Sequence, residues 1–138
     1  MLSIEQITPQ LTWRLRRDIL YPGEYMHNME MEEDNHGYHF GAFEDNALVG
    51  VVSLFQQGSD WQFRKFAVTT DTQKRGIGTQ LLSYITGFVE RENGTRLWCN
   101  ARLSAIGFYA KFGFTVTGEN FHKNGLDYVI MEKNLPVK

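Results

Sequence analysis

The sequence predicts an α+β fold, with a mixed, mostly antiparallel sheet that carries helices on both faces. Three segments rich in apolar and aromatic residues, Tyr38–Phe43, Leu48–Phe55 and Trp61–Val68, are joined by short polar stretches, which is typical of an antiparallel meander. From Ile77 to Val89 an apolar residue recurs every three or four positions, which predicts a helix. The next apolar segment, Arg96–Ala101, therefore follows a helical crossover and is expected to lie parallel to Trp61–Val68.

Composition limits the classes of protein to which the chain can belong. With 138 residues, of which 42% are hydrophobic, we expect one domain spanning residues 1–138. The net charge of −2 gives no general attraction to nucleic acid or to an anionic membrane, so we expect neither as a partner. A single cysteine excludes an intrachain disulfide, and neither a signal segment nor a membrane-length apolar run is recognisable. We expect a cytoplasmic protein, and a homodimer is one of the oligomeric states left open.

The N-terminal segment is predicted to contain a strand and a helix. Leu2–Ile7 alternates weakly and is predicted to be a strand. Thr8 is placed to cap a helix with Pro9 at its first position, and an apolar stripe continues to Leu20. The other side of this helix is interpreted as a solvated basic face with three arginines, Arg14, Arg16 and Arg17.

The segment Glu24–Gly37 shows no hydrophobic period and is predicted to be a loop, with a short helix around Met26 to Met31. Its acidic residues fit two interpretations, attraction of a cationic amine or ordinary surface: Glu30, Glu32, Glu33 and Asp34.

The C-terminal half is predicted to complete the sheet. The long helix is expected to end with Gly94 as its C′ residue, and Ser104 is placed to cap a short helix that Gly113 closes. A last pair of strands with a loop between them is predicted at Phe114–Gly118 and Leu126–Glu132, with the loop at Glu119–Gly125.

The junction between Trp61–Val68 and the long helix has the features of a phosphate-binding site. A helix start leaves four backbone N–H groups without helical partners and carries a partial positive charge. Gly76 and Gly78 have no Cβ to hold a ligand away, and Lys74 and Arg75 stand directly before the helix. The spacing matches neither the P-loop nor the dinucleotide fingerprint, because Leu81 stands where the latter needs its third glycine.

Two motifs resemble the GNAT N-acetyltransferase superfamily. The segment Gln73–Gly78 matches the pattern Gln/Arg-x-x-Gly-x-Gly/Ala, and Ala105–Phe114 is similar to the signature A-x-x-F-Y-x-K-x-G-F. The N-A-R-x-x-A-x-x-F-Y variant, with the early R-R-D-I-L segment, looks like the ElaA/YjcF-like branch. The resemblance implies the acyl-CoA N-acyltransferase fold, in which two central parallel strands splay apart at their C-terminal ends.

The same resemblance implies that acetyl-CoA is a cosubstrate. Residues of the strand end would pair through their backbone with the pantetheine arm, and the loop and helix start would hold the pyrophosphate. These cofactor-binding candidates are Phe66, Ala67, Val68, Gln73, Lys74, Arg75, Gly76, Ile77, Gly78 and Thr79. Lys111 is a further candidate for a CoA phosphate, or else only complements its helix dipole. Arg102 stands where the family often has asparagine, and Asn100 lies two residues earlier, which puts a side-chain contact to pantetheine in doubt.

By resemblance, Tyr109 is the catalytic candidate that protonates the departing thiolate, while its apolar stripe also fits a core aromatic. A backbone N–H near Val68 is the candidate for stabilising the oxyanion. The general base stays open between Glu119, His122 and water. The segment between the first helix and the second strand would line the acceptor site.

The remaining reactive residue types are given structural interpretations. No metal is expected, because His36 and His39 lack further ligands at a suitable spacing, and Cys99 is interpreted as a small buried residue. The leading hypothesis is an acetyl-CoA-dependent N-acetyltransferase that acts on a small amine, a protein lysine or an N-terminal amine. The alternative is a non-catalytic acyl-CoA-binding sensor, which would bind CoA without turnover.

Overall fold

Residues 1–137, which the computed structural model describes, form a seven-stranded sheet with the strand order β1-β2-β3-β4-β5-β7-β6. The strands are β1 Leu2–Ile7, β2 Tyr38–Glu44, β3 Ala47–Gln57, β4 Asp60–Val68, β5 Arg96–Arg102, β6 Thr115–Lys123 and β7 Leu126–Asn134. The α-helices are α1 Trp13–Leu15, α2 Ile77–Arg91 and α3 Ile106–Ala110. The β4–β5 pair is parallel, and the pairs β1–β2, β2–β3, β5–β7 and β6–β7 are antiparallel, so the predicted mixed, mostly antiparallel α+β sheet is confirmed.

The described residues fall into two compact units, Met1–Phe55 with Phe63–Phe88, and Gln56–Gln62 with the chain from Val89 onward. In the first unit, α2 buries its apolar stripe, with Leu81, Leu82 and Ile85 fully buried. Gly50 of β3 makes this packing possible, because a Cβ there would lie 2.8 Å from a methyl carbon of Leu81. The helix that begins at the candidate phosphate site is thus anchored by its apolar side.

Two of the hairpins turn through pairs of left-handed residues. Asp45 and Asn46 join β2 to β3 with φ values of 50° and 70°, and Asn124 and Gly125 join β6 to β7 with φ values of 53° and 78°. Such pairs form type I′ turns, which match the twist of the flanking strands. The prediction of a loop at Glu119–Gly125 is therefore wrong, because strand β6 continues to Lys123 and the turn consists of the Asn-Gly pair alone.

The N-terminal helical segment exists but is irregular. It passes from a 3₁₀ turn at Pro9–Thr12 through α1 to a π-helical turn at Arg16–Leu20. Pro9 occupies the first position as predicted, but the Thr8 side chain makes no capping hydrogen bond. The Thr12 hydroxyl instead donates to the Pro9 carbonyl at 2.6 Å and closes this first turn. Within residues 1–137, no helix has both the length and the apolar character needed to cross a membrane.

Two predicted helix ends need correction. Asn93, with φ of 63°, is the left-handed residue that ends α2, and the N–H groups of Asn93 and Gly94 donate to the Glu90 and Val89 carbonyls in a Schellman arrangement. Ser104 lies inside a 3₁₀ turn, Leu103–Ala105, whose N-cap is Arg102, and it does not cap α3. Gly113 does close α3, with φ of 88°, as predicted.

The parallel ladder between β4 and β5 is short. It pairs Asp60–Gln62 with Arg96–Trp98 within the second unit, and both strands continue beyond these residues.

Gly94 is expected to tolerate no side chain. A Cβ there would lie 2.4 Å from Val89 Cγ1 and 2.7 Å from Trp61 Cδ1, so Gly94→Ala should cost about 1–3 kcal/mol through overpacking. Gly107→Ala is the matched control, because its added Cβ meets no atom within 4 Å and replaces glycine inside α3. Urea denaturation should show a loss for the first variant and no loss for the second, and equal effects would contradict the packing argument.

Candidate active site

The connection Thr69–Gly76, called the β4–α2 loop below, is fixed at its start by hydrogen bonds of Thr69 and Thr72. The Thr69 N–H donates to the Val49 carbonyl of β3 at 2.9 Å. The buried Thr72 hydroxyl lies 2.6 Å from the Thr69 hydroxyl and 3.1 Å from the Thr69 carbonyl. The loop therefore leaves the end of β4 in a defined direction.

The second half of the loop alternates between left-handed and ordinary backbone. Lys74 has φ of 70° and Gly76 has φ of 84°, while Arg75 between them is not left-handed. Alternation of this kind is typical of an anion-binding nest, in which successive N–H groups point toward one site, and Lys74–Gly76 is called the nest below. The Gly76 carbonyl accepts the first helical hydrogen bond of α2, from Gln80 at 3.0 Å. The N–H groups of Ile77, Gly78 and Thr79 precede that bond, and the first turn contains no acidic residue.

Gly76 is needed for its backbone conformation and not for space. A Cβ built there meets no atom within 4 Å, but its φ of 84° lies in the left-handed region that side chains disfavour. The nest therefore depends on glycine at this position.

The polar side chains of the loop differ in what they contact. Arg75 donates to Glu44 Oε2 at 2.6 Å, a partner that sequence reasoning did not identify. The Gln73 side chain donates to the Val68 carbonyl at 3.0 Å and holds the loop against the strand end. Lys74 is exposed and makes no ion pair with any of residues 1–137, so its charge is available to a ligand.

A buried ion pair in the first unit overturns two predictions. Arg16, expected on a solvated face, is fully buried, and Asp34, expected in an exposed acidic run, is only 4% exposed. Arg16 Nη1 and Nη2 donate to the two Asp34 carboxylate oxygens at 2.9 and 3.0 Å. Arg16 also donates to the Met29 carbonyl at 2.9 Å and to Ser53 Oγ at 3.0 Å, so most of its donors are satisfied away from water. Burial by itself would raise the pKa of Asp34, but the hydrogen bonds from Arg16 and the Met31 N–H lower that pKa overall.

His39 completes this cluster. Its Nδ1 lies 2.7 Å from Ser53 Oγ and its Nε2 lies 2.8 Å from the Asp34 carbonyl. Because Ser53 Oγ already accepts from Arg16, its own hydrogen is directed to Nδ1, and Nε2–H donates to the carbonyl. Burial lowers the pKa of His39 despite the nearby Asp34, so the ring is neutral. Both ring nitrogens are occupied, and no group of three or more His, Cys, Asp or Glu among residues 1–137 is arranged to hold a metal ion.

In the second unit, Tyr109 of α3 is half-buried among aromatic rings. Its ring centroid lies 5.4 Å from that of Phe108 and 6.0 Å from that of Phe114. Burial raises the pKa of the Tyr109 phenol, and the neighbouring Cys99 raises it further. Cys99 is buried in β5, and burial raises the pKa of its thiol to about 12, in agreement with the structural role interpreted from the sequence.

The other candidates of the second unit are at its surface. Lys111 is exposed at the C-terminal end of α3, and Asn100 and Arg102 are exposed on β5. Glu119 is exposed on β6, and His122 on the same strand is 63% exposed and lies 2.7 Å from the Asp127 carboxylate.

A pocket of about 250 Å³ opens in the first unit, beside the segment that the resemblance assigns to acceptor binding. Its polar lining residues are Arg16, Tyr21, Glu24, Asn28 and Lys65, and its apolar ones are Met29 and Met31. Lys65 is a functional candidate that sequence reasoning missed. The available signal was a lysine on the same strand face as Trp61, Phe63 and Ala67, which are all buried.

Comparison with known proteins finds relatives that are acetyltransferases or have the same fold. The family model described as "Acetyltransferase (GNAT) domain" matches residues 8–135. The uncharacterized N-acetyltransferase YitI of Bacillus subtilis (strain 168) is 27% identical over 145 residues, which cover 98% of this chain and 97% of that protein. The crystal structure of Escherichia coli ElaA has a TM-score of 0.82 at 16% identity and covers 96% of this chain and 99% of its own. A GNAT family acetyltransferase from Elizabethkingia anophelis, solved with acetyl-CoA bound, has a TM-score of 0.76 at 20% identity, with 97% and 98% covered.

Acid is expected to destabilise the protein through the Arg16–Asp34–His39 cluster. The folded pKa of His39 is below the unfolded value of about 6.5, so the unfolded chain takes up the proton first and stability falls as pH drops below about 6.5. The lowered pKa of Asp34 adds a second loss only below about pH 4. Guanidinium denaturation at about pH 8 and about pH 5.5 should show a larger loss for the wild type than for His39→Gln. Equal losses would show that His39 does not carry the effect.

Proposed function

The chain belongs to the acetyltransferase (GNAT) domain family, and on that premise we propose that it transfers an acetyl group from acetyl-CoA to a primary amine. The observation that supports this best is the nest at Lys74–Gly76, which leads into the donor-rich start of α2. A diphosphate fits such a site, because it offers several acceptor oxygens and negative charge to converging N–H groups. Lys74 adds a charge that no other described residue neutralises.

The rest of the coenzyme is proposed to follow β4. The backbone of Phe66, Ala67 and Val68 would pair with the pantetheine arm in the manner of an added strand. The Val68 carbonyl already accepts from Gln73, so Gln73 is proposed to position the strand end and not to contact phosphate. Arg75 would have to share or release Glu44 to reach a phosphate. Acetyl-CoA supplies the thioester, and the chain's own groups orient it.

Acyl transfer needs a neutral amine, a donor for the carbonyl oxyanion and a proton for the departing thiolate. We assign the oxyanion donor to a backbone N–H near Val68 and the proton to Tyr109. The raised pKa of Tyr109 keeps its phenol protonated at neutral pH, which a donor requires, although it makes complete proton release less favourable. An ordinary thiol has a pKa of about 8.5 and leaves tolerably, so the help required from Tyr109 is modest.

Four finer assignments belong to this proposal. The acceptor is a small amine, a protein lysine or an N-terminal amine, and the base is Glu119, His122 or water. Lys111 is proposed to meet a CoA phosphate. The place of the chain in the ElaA/YjcF-like branch rests on the N-A-R-x-x-A-x-x-F-Y residues.

Gly76→Ala should weaken CoA binding at least about tenfold, because alanine disfavours the left-handed backbone that directs the N–H groups. Gly58→Ala is the matched control, since Gly58 has φ of 63°, an equally open Cβ position and a place in the β3–β4 turn. Calorimetry should show a weaker Kd for CoA in Gly76→Ala than in Gly58→Ala, although both variants place alanine in a left-handed backbone conformation. Unchanged affinity in Gly76→Ala would argue against the nest as the diphosphate site.

Tyr109→Phe should lower kcat by about 10² or less while leaving the Kd for CoA unchanged, because it removes the donor and keeps the packed ring. Free-thiol release from acetyl-CoA with a panel of primary amines measures this, and it also tests the function. Full activity in the variant would assign Tyr109 to the core. CoA binding without thiol release from any amine would instead favour the non-catalytic sensor.

A further inference from the structure

The 250 Å³ pocket of the first unit has a chemistry that specifies its occupant. We propose that the acceptor is a small amine that also carries an anionic group, such as a carboxylate or a phosphate, and that Lys65 and Tyr21 bind this anion. The inference rests on the proposed function for the identity of the amine, but the anion site is argued from the pocket alone.

Lys65 and Tyr21 both carry hydrogen-bond donors that are available to a ligand. Lys65 Nζ donates to the Tyr21 hydroxyl oxygen, and it lies 4.5 Å from the centroid of the Tyr21 ring. An ammonium group has three donors, so two remain, and the Tyr21 oxygen accepts from Lys65, which leaves the phenol hydrogen to donate elsewhere. Lys65 makes no ion pair with any of residues 1–137. A carboxylate or phosphate oxygen, which only accepts, is the complementary ligand group.

The charge of Lys65 is local and is not cancelled by its neighbours in the pocket. Arg16 also lines the pocket, but its charge is matched by Asp34 at 2.9 Å. Glu24, the pocket's carboxylate, accepts from the Asn28 side chain at 3.1 Å and makes no ion pair within the described part of the chain. The pocket thus offers one uncompensated cation and one uncompensated carboxylate, a pattern suited to a ligand with an anionic group and an amine.

Lys65 has a strained backbone conformation. Its φ of 56° is left-handed, although it is a long side chain inside strand β4. Strained residues of this kind are concentrated at binding sites, where surrounding contacts enforce them. The Lys65 side chain is held by its hydrogen bond to Tyr21 and by the Tyr21 ring, so its backbone and its side chain are both in defined positions.

The opposite wall is fixed by the buried cluster. Arg16 donates to the Met29 carbonyl at 2.9 Å, and the Met31 N–H donates to the Asp34 carboxylate at 3.0 Å. Both methionines line the pocket, so its shape is set before a ligand arrives. A volume of about 250 Å³ is below the 300–1,000 Å³ usual for drug-sized ligands, so the pocket fits a small amine.

The test uses amines in matched pairs that differ only in the anionic group: α-amino acids against their carboxamides, and O-phosphoethanolamine against ethanolamine. Thiol release from acetyl-CoA gives kcat/KM for each member. We expect at least one charged member to exceed its neutral partner about ten- to hundredfold, the value of hydrogen bonds to a charged group. The two kinds of pair separate a carboxylate from a phosphate specificity.

Lys65→Met should abolish that ratio, because it removes the charge that distinguishes the two members, and it should change the Kd for CoA less than about twofold. Tyr21→Phe, which keeps the ring, should reduce the ratio in part, and Lys123→Met on β6 is the control for loss of a lysine charge. If Lys65→Met does not fold, Tyr21→Phe and the wild-type ratios still decide the question. Equal rates within every pair, or a ratio that survives both site variants, would overturn the anion site and leave the proposed function intact.

Ligand binding is measured as well, so that a failure of the proposed function can be distinguished from a failure of the anion site. The N-acetylated amino acids and their carboxamides are titrated calorimetrically into the wild type and into Lys65→Met. Without turnover of any amine the proposed function fails, while tighter binding of the carboxylates that depends on Lys65 still supports the anion site. Without such a difference the anion site fails too.

Discussion

The backbone between Lys74 and Gly76 must pass through two left-handed residues to join β4 to α2, and the candidate active site depends on this turn. Such a turn places N–H groups in a converging set and delivers the chain to a helix start that has unpaired donors of its own. The apolar stripe of α2 holds the helix from the other side. The donors are therefore in place before a ligand binds, and binding need not order them.

A second constraint is the buried cluster of Arg16, Asp34, Ser53 and His39. Removing an arginine and an aspartate from water costs several kcal/mol for each ion by typical magnitudes, about as much as a good pair recovers. What the cluster adds is specificity of arrangement, because it ties the 3₁₀ segments around Met29 and Met31 to the π-helical turn and to β2 and β3. The pocket beside Lys65 takes its wall from this arrangement. The side chains that fix this part of the fold therefore also shape the pocket.

Much of the architecture could be predicted from local signals. Alternation and helical periodicity placed the strands and α2, and the motif at Gln73–Gly78 pointed to the loop that contains the left-handed residues Lys74 and Gly76. The errors came from pairings that no periodicity encodes. Arg16 looked solvated because its partner Asp34 is eighteen residues away, and the Arg75–Glu44 contact joins segments thirty-one residues apart. The Asn124-Gly125 dipeptide is a local turn signal, and the polar residues of β6 before it were wrongly assigned to a loop. Lys65 could be identified as a candidate only from its φ and its contact with Tyr21.

The central claim is that the β4–α2 loop and the first turn of α2 bind a diphosphate through backbone donors. The most direct measurement is a titration of ¹⁵N-labelled protein with CoA, followed through the backbone amide resonances. The account predicts that the largest shifts fall on the amides of residues 74–79, and that dephosphorylated pantetheine does not reproduce them. If those amides stay unshifted at saturating CoA while shifts appear elsewhere, the loop is not the diphosphate site and the account is wrong.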